Sequence, residues 1–458
     1  MDYSSLPVFA SAEVVVCGGG AAGAFAAKSA ADEGADVLVV EQFGSLGGTA
    51  TNGLTMPVMH THIASNPQCS YVSKLVRDKL FAIGGCDDSG ANFDPFLLKV
   101  VLEEICVESG VKLLFHTFIA DVITENGKVT ALVVANKKGL GLVKGKVFID
   151  GTGDGDVCVR AGAGYTKGNP ETGKNQPISL RYIISNVNFE EFGNFINEEK
   201  KRTGVDGAAS YYDGKIYVAV CATGSWTFSE LFDKAIAAGD LDPDDKAYWQ
   251  GFTVTGRADT IAFNSPEFFD ETDGTDPDVL TKTQVMGKKR ALRQLMFCKK
   301  YLKGFEKAYI SDISAMVGIR ESRNITTEYV LTAEDLLCRR KFADMFCQSN
   351  YPVDIHGKKL SFNEKKYKDV DDGKPWYEIP FRSLVVKGFD NLLVTGRCLG
   401  AEFLAQSSLR VQQSARSSGE AAGIAAAMAL KKNLPLREIN GADVREEMIR
   451  KGAEYAVL

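Results

Sequence analysis

The sequence predicts an α/β fold: a Rossmann-like domain with a parallel central sheet and a β-meander, interrupted by an inserted mixed α+β domain. Three observations lead there. Short β-branched or leucine-rich runs at 14–16, 37–40, 146–150 and 391–395, each followed by glycine or a loop, suit strands buried on both faces of a parallel sheet. Between the first two lies "AAGAFAAKSAADEGA", a helix of small residues that ends at Gly34. The same texture returns only after about residue 375, so both ends of the chain must contribute to one domain. We therefore divide the chain into a nucleotide-binding domain at 10–166 and 375–440, an inserted substrate domain at 167–374 and a C-terminal tail at 441–458.

The first strand breaks into Gly18, Gly20 and Gly23, with GxGxxG spacing. The first glycine permits a tight turn, the second lets backbone approach a pyrophosphate, and the third allows close helix packing. The helix behind them points free N–H groups at the phosphates, and Ala22 belongs to the same surface. Glu41, 23 residues past Gly18 at the end of the second strand, can accept hydrogen bonds from both ribose hydroxyls. Its charge would repel a 2′-phosphate, which disfavours NADP. Gln42 follows it on the cofactor side. Alone the glycine spacing is a weak signal, but here strand, helix and acid all fall where the mechanism needs them.

Next, "EQFGSLGGTATNGL" carries a second glycine pair, Gly47 and Gly48, with Thr49 and Ala50 behind it, suited to backbone passing close to an extended ligand. "FDPFLLKVVLEEICVESGVKLLFHT" predicts an amphipathic helix with Pro95 in its first turn and Gly110 at its end, feeding a strand at 112–117. "VTALVVANKKGLGLVKGKVFID" reads as strand, turn, strand. Its "GLGLVKG" offers glycines at phosphate-loop spacing, but no helix follows, so it is read as a hairpin turn. Then "IDGTGDGD", with Thr152, Gly153 and Asp154, leads from strand to helix and gives backbone a second meeting with the nucleotide; Asp154 is expected to cap that helix, contact the ligand, or do both. A simple NAD domain needs no such additional loops, so FAD is the expected cofactor.

From about 167 to 374 the texture is mixed strands, acidic loops such as "DETDGTDPD" and one long helix at 279–302, read as packing. Thr332 and Asp335 form a capping box. "YEIPFRSLVVKGFDNLLVTGR" restores the parallel-strand texture, and "VQQSARSSGEAAGIAAAMALKKN" gives a last small-residue helix.

Composition narrows the function. A formal charge of −6 and a pI near 5.5, with no basic stripe interleaved with aromatics, argue against a nucleic-acid partner. No leader pattern and no run of 18 apolar residues occur, so a cytoplasmic protein without a membrane partner is expected. The ten cysteines form no CxxC pair and do not cluster near histidines; buried reduced thiols are expected, and no metal.

With these residues in view, the sequence resembles the bacterial FAD-dependent oxidoreductases of the glutathione-reductase-like flavoprotein superfamily over nearly its whole length. The likeness is carried by "GGGAAGAFAA", "GSLGGTATNGL", "IDGTGDGD", "VGIRESRNITTEYVLTAEDLL", "YPVDIHG" and "YEIPFRSLVVKGFDNLLVTGRCLGAEFLAQSSLRVQQSARSSGEAAG". The resemblance implies that Gly18, Gly20 and Gly23 meet the FAD pyrophosphate, Glu41 the adenosine ribose, Gly48 to Ala50 the flavin side and Thr152 to Asp154 the nucleotide side. It further implies that Gly396, Arg397, Ser408, Leu409 and Arg410 close over the flavin end. One departure stands out: where relatives often carry a histidine after "GRC", this chain has Phe403.

Candidate catalytic residues are few. A helix starting within 407–411 would aim its positive end at the flavin, and Arg410 would add a formal charge favouring the reduced form. Of the four histidines, His116 reads as structural on an apolar strand, His60 and His62 follow the flavin-side loop, and His356 sits in "YPVDIHG" with a turn hydrogen bond as its plainer role. Arg320 and Arg323 either pair with Glu321 or clamp a carboxylate. The expected function is hydride transfer between a small organic substrate and flavin N5, with a separate electron donor or acceptor. A flavin-dependent monooxygenase using NAD(P)H and oxygen, or a noncatalytic flavin-binding scaffold, are the alternatives.

Overall fold

The computed structural model describes residues 3–59, 61, 63–222, 224–270, 272–356 and 376–457. Five parallel strands lie side by side in the order Leu392–Val394, Val147–Asp150, Val14–Cys17, Val37–Val40 and Lys112–Leu114. Every residue of the three central strands is buried, which is why they are continuous apolar runs rather than alternating ones. The strand expected at 112–117 stops at Leu114. His116 is not on it: at φ 50° it is an exposed turn residue whose ring lies against Gly44.

Helix Gly23–Asp32 connects the first two strands, and helix Gln412–Lys432 packs across it. A Cβ added at Gly419 or Gly423 would fall 2.0 and 2.2 Å from the carbonyl oxygens of Ala22 and Ala26. The two helices therefore meet backbone to backbone, and only small residues permit that separation. This contact explains the alanine, glycine and serine content of both segments.

The β-meander is formed by Phe118–Glu125, Lys128–Asn136 and Gly139–Lys144, with Val8–Ser11 parallel to the last strand. Here "GLGLVKG" corrects the sequence reading. Most of it is the third strand, and the turn lies at Lys137 and Lys138, with Gly139 at φ 98°. Gly141 is a packing glycine, since its missing Cβ would fall 2.5 Å from the Phe9 ring.

The inserted segment forms a six-stranded antiparallel sheet in the order Ala209–Tyr212, Lys215–Cys221, Tyr248–Thr253, Ile261–Phe263, Tyr182–Ser185, Tyr309–Ile313. One face carries a separate aromatic core that includes Phe192, Phe228, Phe232, Trp249 and Phe297 under helices Phe189–Thr203 and Pro277–Tyr301. The other face turns toward the nucleotide side. Strand Tyr182–Ser185 shows the alternation: Tyr182 and Ile184 enter the insertion's core, whereas Ile183 joins the core around helix Gly23–Asp32. Phe346 and Cys347, from the ribbon Met345–Ser349 and Tyr377–Pro380, also join that first core. The segment expected as a tail forms helix Gly441–Lys451, with Val444 and Met448 buried. Among the described residues no helix is long and apolar enough to cross a membrane.

Candidate active site

A cavity of about 630 Å³ runs from the carboxyl ends of the parallel strands to the inner face of the inserted sheet. Its first end is made of backbone. Gly18 (φ 87°) lies so close to the next strand that a Cβ would fall 2.8 Å from the Gly151 carbonyl oxygen, and a Cβ on Gly23 would fall 1.9 Å from the Gly18 oxygen. Gly47 donates its N–H to the Gly19 carbonyl (2.8 Å), and a Cβ on Gly48 would fall 2.9 Å from Gly20 Cα. Helix Gly23–Asp32 has no side-chain cap and no acid in its first turn. Helix Gln412–Lys432 likewise starts uncapped, with Val411, Gln412 and Ala415 at the cavity wall. Two helix N-termini with free N–H groups thus open on one glycine-lined cradle, which fits an anionic dinucleotide.

Glu41 is only 6 % exposed, and its side chain anchors this end: Oε2 accepts from the Gly19 N–H at 2.6 Å and Oε1 from the Phe43 N–H at 2.8 Å. Burial pushes its pKa up, while these bonds to the charged form oppose the shift. Gly20, Ala22, Gln42, Gly48, Thr49, Thr152, Gly153, Asp154, Gly396 and Arg397 also line the cavity. Asp154 is not a helix cap. Helix Asp156–Arg160 is preceded by Gly155, while Asp154 Oδ1 accepts from Ser322 Oγ and Arg397 Nη2, both at 2.6 Å.

The opposite end is made of side chains. Strand alternation places Tyr217, Tyr248, Gln250 and Phe252 on the cavity face, with Val218 and Trp249 pointing into the insertion's core. Tyr248 Oη donates to Gln250 Oε1 and accepts from Asn264 Nδ2 at 3.1 Å; Gln250 Nε2 donates to Tyr217 Oη at 3.1 Å. Behind them runs a row of alternating charge. Arg320 pairs with Glu267, Glu267 Oε1 lies 3.0 Å from His356 Nδ1, His356 Nε2 lies 3.5 Å from Asp354 Oδ2, and Asp354 Oδ2 lies 3.3 Å from Arg410 Nη2. Burial alone would raise both acids, but Arg320 and His356 hold Glu267 below its usual range, and His356 with Arg410 holds Asp354 well below it. The His356 ring meets Tyr248 edge-on at 5.2 Å. Arg181 joins this end with its Nε bonded to Asn264 Oδ1.

Several expectations change here. Arg320 does not pair with Glu321; it is 5 % exposed, held by Glu267 and the Pro177 carbonyl (2.8 Å), and its guanidinium lines the cavity. Glu321 accepts instead from the Gly168 N–H and Asn175 Nδ2. Arg323 points to Asp156 and the Tyr165 ring, outside the cavity lining. The long helix has its N-cap at Val411, within the range expected for its start, but a separate short helix, Phe403–Leu409, precedes it. Ser408 is consequently bonded to Tyr377 Oη and the Tyr351 carbonyl, Leu409 is buried, and neither lines the cavity, whereas Arg410 does. Gly23, Gly47 and Ala50 shape the cradle from behind, and Phe403 is buried outside the lining. His356 has two carboxylate neighbours rather than a turn bond. His60 and His62 lie outside the described residues.

Sequence reasoning missed Arg181, Tyr217, Tyr248, Gln250, Phe252, Asn264, Glu267 and Asp354. The alternation in "YWQGF" was the available signal, since it sets Tyr248, Gln250 and Phe252 on one face.

No curated protein matches the sequence. Among solved structures, the chain is similar to a geranylgeranyl bacteriochlorophyll reductase-like protein from Thermoplasma acidophilum (13 % identity, 97 % of this chain and 84 % of that one, TM-score 0.44). It is also similar to p-nitrophenol 4-monooxygenase from Pseudomonas putida (10 %, 96 % and 86 %, 0.48) and L-proline dehydrogenase from P. horikoshii (13 %, 96 % and 99 %, 0.43). The family described as FAD dependent oxidoreductase matches residues 13–448, so the chain belongs to the FAD-dependent oxidoreductases, and its cofactor is FAD.

Proposed function

We propose that this enzyme transfers a hydride between a small organic substrate and flavin N5, with His356 exchanging the substrate proton. The observation that carries the reading is the continuity of one cavity from the glycine cradle to the polar face of the inserted sheet. In this reading the Gly18–Ala22 turn holds the pyrophosphate and Glu41 the ribose, while Gly48, Thr49, Gly396, Arg397, Val411 and Gln412 surround the flavin. Bound FAD supplies a two-electron hydride donor or acceptor at N5.

The chain's own groups do the rest. His356 faces a carboxylate oxygen with each ring nitrogen, so only the doubly protonated ring can donate to both. It holds that proton at the cavity wall, beside the Tyr248 hydroxyl. The inserted sheet walls this end of the cavity. The strand order, the meander and the C-terminal return to the sheet support placement in the glutathione-reductase-like superfamily. The free cysteines fit a reducing cytoplasm, and a separate electron donor or acceptor completes the cycle.

The test is anaerobic reduction of the bound flavin by a panel of hydroxy acids, sugars, amines and enones, with enones tested as oxidants of the reduced protein. At least one member should bleach or restore the flavin colour rapidly. Rapid bleaching by NADH or NADPH, with no organic metabolite active, would instead favour the monooxygenase reading.

A further inference from the structure

We propose that the substrate is an organic carboxylate, bound by Arg181 with Arg410 beside it; this rests on the hydride-transfer reading above. Three arginines, Arg181, Arg320 and Arg410, line this end with Asp354 and His356, and Glu267 lies buried behind them against Arg320 and His356. Arg320 is matched by Glu267 and Arg410 by Asp354. Among the described residues Arg181 has no ion pair, and its bonded partner is the neutral amide oxygen of Asn264.

The site leaves one positive charge over with His356 neutral and two with His356 protonated. Arg181 is 6 % exposed, so water does little to compensate it, and burial together with Arg320 lowers its pKa to about 9. A bound carboxylate would offset charge beside Arg181 in either state of His356. Arg410 also keeps a buried Nε without a hydrogen-bond partner among the described residues.

The wall is shaped around this guanidinium. A Cβ on Gly318 would fall 2.3 Å from Arg181 Nη1, so the absence of a side chain there is what lets the guanidinium reach its position. Tyr217 and Phe252, packed at 5.5 Å between centroids, line the same cavity with Ile319 and Met316 and offer apolar surface for the body of the acid. An arginine presents two parallel N–H groups that match a carboxylate, and a neutral amide cannot replace that pairing without losing the charge term.

The experiment is isothermal titration of FAD-loaded protein with three acid and amide pairs: acetate and acetamide, benzoate and benzamide, succinate and succinamide. At least one acid should bind ten-fold or more tightly than its amide. Arg181→Met should remove that preference, and Arg181→Lys should restore part of it. Gly318→Ala keeps the charge but displaces the guanidinium, so it should weaken the same acid; it also serves if Arg181→Met does not fold. The proposal is overturned if no acid is preferred over its amide, or if Arg181→Met retains the preference at wild-type FAD content. An acid preference in a protein whose flavin exchanges electrons with no organic compound would sink the reaction reading and leave the anion site standing.

Discussion

The dinucleotide end of the cavity is defined by atoms that are absent, the side chains missing at Gly18, Gly23 and Gly48, whereas the substrate end is defined by side chains that are present and mutually bonded. The first end admits no added atom, because its neighbours are backbone. The second is a polar network in which each member restrains the next, so removing one group disturbs chemistry before it disturbs shape. Changes at the first end should therefore abolish cofactor binding, and changes at the second should spare it.

The largest effect is expected from Gly23→Val. Its Cβ would fall 1.9 Å from a backbone oxygen that cannot yield, so the helix must separate from the strand. FAD content, read from the flavin absorbance of purified protein, should fall from near one per chain to below about a tenth, with a lower melting temperature. Full FAD content would show that the glycine packing does not govern the cradle.

His356→Gln sharpens the contrast from the other end. A proton-exchanging group contributes about 10²- to 10⁴-fold, so kcat should fall by that order while FAD content stays unchanged. An unaltered kcat would leave His356 as a positioning residue for Glu267 and Asp354.

This contrast also explains what could be read from the chain. The glycine cradle and Glu41 are legible because their steric and hydrogen-bonding demands fall within one β-α-β unit, where spacing encodes geometry. The substrate end draws Arg181, Tyr248, Asn264, Glu267, Arg320, His356 and Arg410 from segments far apart in sequence, which only tertiary packing brings together. Arg320 illustrates the limit. Sequence proximity suggested Glu321 as its partner, but strand Glu267–Phe268 brings Glu267 closer, and Glu321 turns the other way. Ser408 and Leu409 fall away from the cavity for a local reason: they belong to a short separate helix, Phe403–Leu409, that the sequence does not distinguish from the loop before Gln412.

A smaller effect tests both regions together. Burial pushes Glu420, which caps helix Tyr71–Ala82 through Ser70, Tyr71 and Val72, up to about 7, and burial does the same to Glu321. Their usual value is 4.5, so between there and about 7 the folded state binds more protons than the unfolded one. Stability should accordingly fall as pH rises through this window and level off above it. Glu420→Gln and Glu321→Gln should each flatten part of the slope in urea unfolding at several pH values. A slope unchanged in both variants would show that neither carboxyl titrates there.

The most direct test is fluorescence titration of FAD into the apo forms of wild type, Glu41→Arg and His356→Gln. Glu41 accepts two backbone hydrogen bonds at the dinucleotide end, whereas His356 belongs to the side-chain network opposite. Glu41→Arg should weaken FAD binding by about ten-fold or more, since bonds to a charged group are worth about 1.5–3 kcal/mol, and His356→Gln should leave it within about two-fold. Equal weakening in both variants, or none in Glu41→Arg, would contradict a cavity whose two ends bind cofactor and substrate separately.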